Sequence, residues 1–257
     1  MNNIKNTKAY WVIGGAIVLS VLITSFTGIF KSSIYYLFDH KKDDISVTGS
    51  ASMNFESNLI MWSGSFSKRD LDLKTAYKKI KEDRKIIQEF LISKGVSEDE
   101  IIFKSIEISK KYKYKSKYNN EGDKVDTESI FDGYILDQTV SISSINVNLI
   151  EQISNQVTDL IEKDVFISSN SPKYYYTNLG ELKIEMIKLA AENGHLRAQT
   201  AVEGGEAELG ELLETSIGVF QILGKNSDDE FSWGGTLNTL NKYKTAYINV
   251  KQRFEIE

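Results

Sequence analysis

The chain contains no cysteine, only two histidines and a single proline in 257 residues. The first absence excludes disulfides, thiolate metal sites and a cysteine nucleophile, while leaving the redox compartment open. With His40 and His195 as the only imidazoles, a site built from two converging histidines would have to use the one near the N-terminus, which argues against a His-based zinc centre. Basic residues are also in deficit: residues 45–257 carry 26 Lys and Arg against 33 Asp and Glu. Such a domain repels a phosphate backbone, so nucleic acid is not an expected partner.

What the chain does have is one long uncharged run, Ala9 to Phe30. At about 1.5 Å per residue a helix of this length covers a hydrocarbon core of roughly 30 Å. Tyr10 and Trp11 at one end, and Tyr35, Tyr36 and Phe38 beyond the other, stand where amphipathic rings favour the headgroup region. The run therefore predicts a membrane anchor at residues 9–30, with 1–8 as a short N-terminal tail, 31–44 as a juxtamembrane linker and a folded domain over 45–257. A cleaved signal peptide is the alternative, but its apolar region is shorter and ends at a small-x-small site. Lys5 and Lys8 before the run are matched by Lys31, Lys41 and Lys42 after it, so charge alone leaves the orientation open.

Within the domain, Ile45 and Val47 and then Leu59–Phe66 predict two strands joined by a turn around Asn54–Asn58. Leu73, Ala76, Tyr77, Ile80, Ile87, Phe90 and Leu91 recur at helical spacing, with Asp70 and Asp72 at the start and Gly95 past the end. Ile102, Ile106 and Ile108, followed by Tyr134, Leu136, Val140 and Ile142, predict a long hairpin with its tip at Asn119–Asp126. Leu149, Ile150, Ile153, Val157, Leu160 and Ile161 form a second helical stripe entered from Asn146 as N-cap. A short strand at Val165 and Ile167, closed by Pro172, precedes a third helix from Leu182 to Ala201 that stops at Gly204 and Gly205. Ile217–Leu223 and the alternating Ala246, Ile248, Val250, Phe254 and Ile256 predict two closing strands around an exposed loop. The order is that of an α+β domain, antiparallel strand pairs alternating with three amphipathic helices.

Several of these segments, in succession, resemble the SIMPL domain family of bacterial envelope proteins, which includes periplasmic immunogenic and oxidative-stress defence proteins. The residues are ISVTGS at 45–50, LIMWSGSFS at 59–67, LISKGVSEDEI at 91–101, Gly133-Tyr134, Arg197-Ala198, and ELG at 208–210 before GVFQI at 218–222. The resemblance implies an extracytoplasmic, periplasmic domain behind a signal or anchor, held at the cytoplasmic membrane, and homo-oligomeric assembly. It supplies no catalytic residue and no cofactor. Two departures stand out: Asn193-Gly194-His195 inside the third helix, where an interior glycine costs about 1 kcal/mol and predicts a kink or frayed turn, and the acidic, glycine-rich exit Glu203–Glu206.

Candidate sites are few. Lys111, Lys113, Lys115 and Lys117 alternate with Tyr112 and Tyr114, placing lysines on one face of a strand and tyrosines on the other. That face could meet an acidic partner, lipid headgroups or a neighbouring subunit, or could be a solvated arm whose lysines discourage edge pairing. Trp233, followed by Gly234 and Gly235, predicts an exposed aromatic that could touch another subunit. Ser65 and Lys68, with Ser227–Asp229 and Lys244–Ala246, echo in order the S-x-x-K, S-D-N and K-T-G elements of penicillin-recognising acyltransferases, but Ser65 lies in a strand pattern and two elements lack their last residue. His195 reads as a helix-surface residue before a proton switch. Asp70 with Asp72, and Asp228 with Asp229 and Glu230, read as a helix start and a polar loop before a cation site. The reading is a non-enzymatic, membrane-anchored homo-oligomeric scaffold in envelope maintenance or stress protection. An envelope acyltransferase or hydrolase using Ser65 and Lys68, or a receptor-type module with an unidentified envelope partner, is the alternative.

Overall fold

A computed structural model of the chain describes residues 43–120 and 122–257. The anchor expected at 9–30, the tail before it and most of the linker lie outside the described residues. Among the described residues no helix is long and apolar enough to cross a membrane. The chain divides into two units, one formed by segments ending at Gly49 and spanning Ala191–Ser216 and Val250–Glu257, the other by Ser50–Ala190 and Ile217–Asn249.

The larger unit is built on β2 (Leu59–Asp70) and β5 (Lys124–Ser144), paired antiparallel from Ile60↔Ser144 to Asp70↔Tyr134. β3 (Ile101–Phe103) and β4 (Glu107–Tyr118) add to β5, while β6 (Ile167–Ser169) and β7 (Lys173–Tyr175) add to β2, all antiparallel. The period-2 pattern of β2 sends Ile60, Trp62 and Phe66 into the core. Gly64 shares that face, and a Cβ there would lie 2.7 Å from Ile167 Cδ1, so its missing side chain is the space that Ile167 fills. The Trp62 indole donates to Ser169 Oγ at 2.9 Å, and Ser169 donates to the Ser154 carbonyl at 2.8 Å, which satisfies a buried N–H that would otherwise be costly.

Helix α1 (Leu73–Ser93) begins where Asp72 accepts from the Thr75 N–H and hydroxyl at 2.8 Å each. It ends at Gly95, whose φ of +97° suits glycine. Its buried positions are Ala76, Ile80, Asp83, Ile87 and Leu91; of the expected stripe Leu73 and Phe90 are partly buried, Tyr77 is turned out at 46% exposure, and Asp83 is a carboxylate among them. Helix α2 (Val147–Gln156) is capped by Asn146 as expected, then tightens into a 3₁₀ turn over Val157–Lys163. Three residues per turn instead of 3.6 shift the stripe, so Leu160 stays buried while Ile161 turns out, half exposed.

Asp83 is answered by Lys68, Nζ to Oδ2 3.0 Å, and burial raises its pKa against the pull of that lysine. Lys68→Met should leave the carboxylate buried without its cation, at about 2 kcal/mol. Because the folded pKa lies above the unfolded one, the folded state protonates first, and part of the loss should return as pH falls through the folded pKa. Lys68→Met with Asp83→Leu should sit within about 1 kcal/mol of wild type. Urea titrations of the three proteins at neutral and mildly acidic pH measure all three.

The smaller unit takes the first part of β1 (Asp44–Glu56), β8 (Leu209–Ile217), the end of β10 (Tyr243–Ile256) and the second half of α3 (Leu179–Glu203). β10 lies between β1 and β8, and Arg253 reaches to both, 3.1 Å from Asp44 and 3.3 Å from Glu214. The expected kink at Asn193–His195 is absent, since α3 runs through it without a break. Gly194 is instead a contact surface: a Cβ there would lie 3.3 Å from the Gly49 nitrogen and collide with the Gln252 amide. Close approach of the helix to the strands offsets the propensity cost. The helix exits at Gly204–Gly205 as expected, but the left-handed residue is Glu206.

The expected hairpin of the first two strands is not formed. β1 pairs with β10 and β2 with β5, in separate sheets. Between them Ser57 donates its N–H to the Lys242 carbonyl and Asn58 to the Tyr175 carbonyl, so distant segments, not a local turn, fix the connection. The closing pair is found as β9 (Gln221–Gly224) antiparallel to the start of β10.

Candidate functional site

The lysine arm is the extension of β4 and β5. Beyond Asp70↔Tyr134, β5 has β4 alone as its neighbour, and the two continue to Tyr118↔Lys124. The register slips between Lys111 and Tyr112, opposite Gly133 and Phe131, leaving Asp132 as the extra residue of a bulge. Bulges re-aim side chains, and this one turns Asp132 onto the Arg69 guanidinium and to within 2.8 Å of Lys113 Nζ. Arg69 also donates twice to the Asp132 carbonyl, from Nε at 2.9 Å and Nη2 at 2.6 Å. The Lys113 hydrogen bond holds the Asp132 carboxyl below the usual carboxylate range. Lys117 lies 3.3 Å from Glu128 and 3.8 Å from Asp126, and Lys115 stands opposite Glu128 in register. Lys111 faces Gly133. The lysine face thus carries its own carboxylates. The opposite face is aromatic: Tyr112, Phe131 and Tyr134 meet edge to face at centroid distances of 5.9 and 5.2 Å, and Tyr114 beyond them is 72% exposed.

Trp233 is 100% exposed, at the head of the excursion between β9 and β10. The loop beneath it is tightly held. The Gln221 amide donates to the Ser232 carbonyl at 2.6 Å and accepts the Thr236 N–H at 2.8 Å, and residues 236–238 run alongside and parallel to β9, bridged at Ile222. Farther along, Asp229 accepts from the Gly224 N–H at 2.8 Å and from Asn238 Nδ2 at 2.7 Å. The first of these is the main cause holding its carboxyl low. Lys244, only 1% exposed, donates to the carbonyls of Asn238 and Asn241. Burial pushes its pKa down to about 8, with Asp229 pulling the other way. The loop after β9 is exposed at Lys225, Asn226, Asp228 and Glu230 as expected, while the buried lysine holds the return segment at Asn238 and Asn241. Its signal was present in the chain, since Lys244 falls in phase with Ala246, Ile248 and Val250.

Beside the loop lies a trough of about 820 Å³. It is lined by residues 50–52 of β1 and 247–249 of β10, by Val219 and Gln221, and by Phe231, Ser232 and Trp233 of the loop. Phe231 stands on Tyr247 at 5.4 Å and 88°.

The other candidates are placed apart. Ser65 and Lys68 lie three positions apart in β2 and so face opposite ways. Ser65 Oγ is 3.2 Å from Thr139 Oγ1, and Lys68 is engaged by Asp83 and the Asp164 carbonyl. The serine and lysine do not form a nucleophile–base pair. His195 is an exposed helical residue with its ring against Phe254 at 5.5 Å. Asp72 caps α1, and Asp70 pairs with Lys79 at 2.7 Å. Among the described residues no three His, Asp or Glu side chains converge as metal ligands.

No curated protein matches the chain. The family model described as SIMPL, protein of unknown function (DUF541), matches residues 45–233, from the second residue of β1 to Trp233 and short of β10. Covering well over half of the sequence and the described strands and helices other than β10, this match establishes that the chain belongs to the SIMPL family.

Proposed function

We infer that the protein is a non-catalytic scaffold of the cell envelope, serving envelope maintenance or stress protection through homo-oligomeric assembly. Residues 9–30 hold it in the cytoplasmic membrane as a single pass, with the SIMPL domain on the extracytoplasmic, periplasmic side. The observation that carries the assembly reading is the β4–β5 ribbon. Two-stranded ribbons have little stability of their own, yet this one continues past the end of β2 with Tyr112, Tyr114 and Phe131 on one open face and a self-neutralised charged face behind it. Such a ribbon gains by seating its aromatic face on another copy, and the lysines with their own carboxylates resist edge pairing.

The test is the mass of the detergent-solubilised full chain by light scattering over a range of concentrations. A discrete assembly is expected, and Tyr114→Glu with Phe131→Glu should dissociate it while leaving the circular dichroism unchanged. A monomer at every concentration would overturn the reading.

A further inference from the structure

The trough beside Trp233 has a chemistry of its own, and its occupant is independent of whether the arm assembles copies. We propose that it binds a glycan: a short stretch of neutral, β-linked pyranose units.

The argument begins with charge. Asp, Glu, Lys and Arg make up 26% of the chain, yet no side chain lining the trough is one of them. An ionic ligand would meet no counter-charge there, whereas a neutral polar one meets hydroxyl and amide groups that both donate and accept. The second point is the arrangement of polar and apolar surface. Ser50, Ser52, Gln221, Ser232 and Asn249 line it together with the rings of Phe231, Trp233 and Tyr247. An apolar peptide or acyl chain would leave those hydroxyl and amide groups without partners. A β-linked pyranose is itself divided in this way, with C–H faces that pack on aromatic rings and a rim of equatorial hydroxyls that needs donors and acceptors. The third point is size, since about 820 Å³ falls in the range of roughly 300–1,000 Å³ typical of ligand sites.

Trp233 supplies the last step. A fully exposed indole on a flexible loop would be unremarkable, but this one stands on backbone tied to the Gln221 amide on both sides, at Ser232 and Thr236. Gly235, at φ +92°, lets the turn pass close to the Phe220 carbonyl. With the backbone under the ring already fixed, only the side-chain torsions remain to be ordered when a flat ligand stacks on it.

The test uses the full chain in a zwitterionic detergent free of sugar headgroups, titrated calorimetrically with cellotetraose and with chitotetraose. Saturable heat is expected with at least one. Cellotetraose alone would mark a hydroxyl-reading site, and chitotetraose alone would mark one that also reads the acetamido group. Trp233→Ala should weaken binding by about tenfold or more without changing the thermal midpoint, because the ring makes no buried contact to lose. Tyr247→Ala should weaken it similarly. In wild type, tryptophan emission should shift with the same isotherm, and the shift should be lost in Trp233→Ala, which keeps Trp11 and the buried Trp62. No saturable heat from either sugar up to about 10 mM, or undiminished binding by Trp233→Ala, would overturn the proposal. Measuring the mass of Trp233→Ala separates this result from the scaffold reading, which predicts no change in it.

Discussion

Gly133→Ala should cost about 3 kcal/mol or more, lowering the thermal midpoint by roughly 10 °C. Two separate penalties fall on the same atom. The φ of +110° is one that L-residues rarely adopt. A Cβ on this backbone would also lie 2.6 Å from the Asp70 carbonyl oxygen and 3.1 Å from its carbon, and backbone cannot swing aside as a side chain can. Relief requires undoing the bulge, and with it the placement of Asp132 on Arg69 and Lys113. Gly122 is the control. Its φ is +89° but a Cβ there meets nothing within 4 Å, so Gly122→Ala should cost only about 1 kcal/mol. Equal losses at the two positions would show that dihedral strain, and not contact with Asp70, sets the effect.

Lys244→Met should show an effect that depends on pH. The lysine is pushed down to about 8 in the folded chain from an ordinary 10.5. Between these values the unfolded chain binds a proton that the folded chain has released, so the contribution of Lys244 to stability rises with pH. Below about 8 both states are charged, and the cost of burying the cation is borne in full. The difference in unfolding free energy between wild type and Lys244→Met should therefore grow by about 3 kcal/mol from pH 7.5 to pH 10.5. Other titrating groups cancel in that difference. A flat difference would mean that the Asn238 and Asn241 carbonyls keep the amine protonated throughout.

The parts of the fold legible in the sequence are those with one wet and one dry face. The stripes of α1 and α2, the Asn146 cap, the alternation of Ile60, Trp62 and Phe66, and the arm with its lysines all follow from periodicity. β8 was not legible, because Glu211–Ile217 is exposed on both faces and carries no alternation to detect. The mistaken hairpin has another cause: alternation reports which residues of a strand point inward but not which strand lies beside it, and β1 found its partner some 200 residues away. For the same reason Trp233 could be read as an exposed ring, whereas the trough beside it could not, since β1, β9, β10 and the loop meet only in the folded chain. Lys244 was readable by parity and Asp83 by its place between Ile80 and Ile87, both as breaks in an otherwise apolar series.

The division of the chain into units also bears on the order in which the protein can come into being. The hydrophobic cluster of the larger unit, from Ile60 to Tyr174, is complete in sequence once about two thirds of the chain has been made. The smaller unit draws on three separated stretches, among them Val250–Glu257, which follow all of that cluster in the chain. During synthesis it can only form after the segments of that cluster have been made, by closing long loops that slow folding. A chain cut short before β10 would retain the first cluster and lack that strand of the smaller unit.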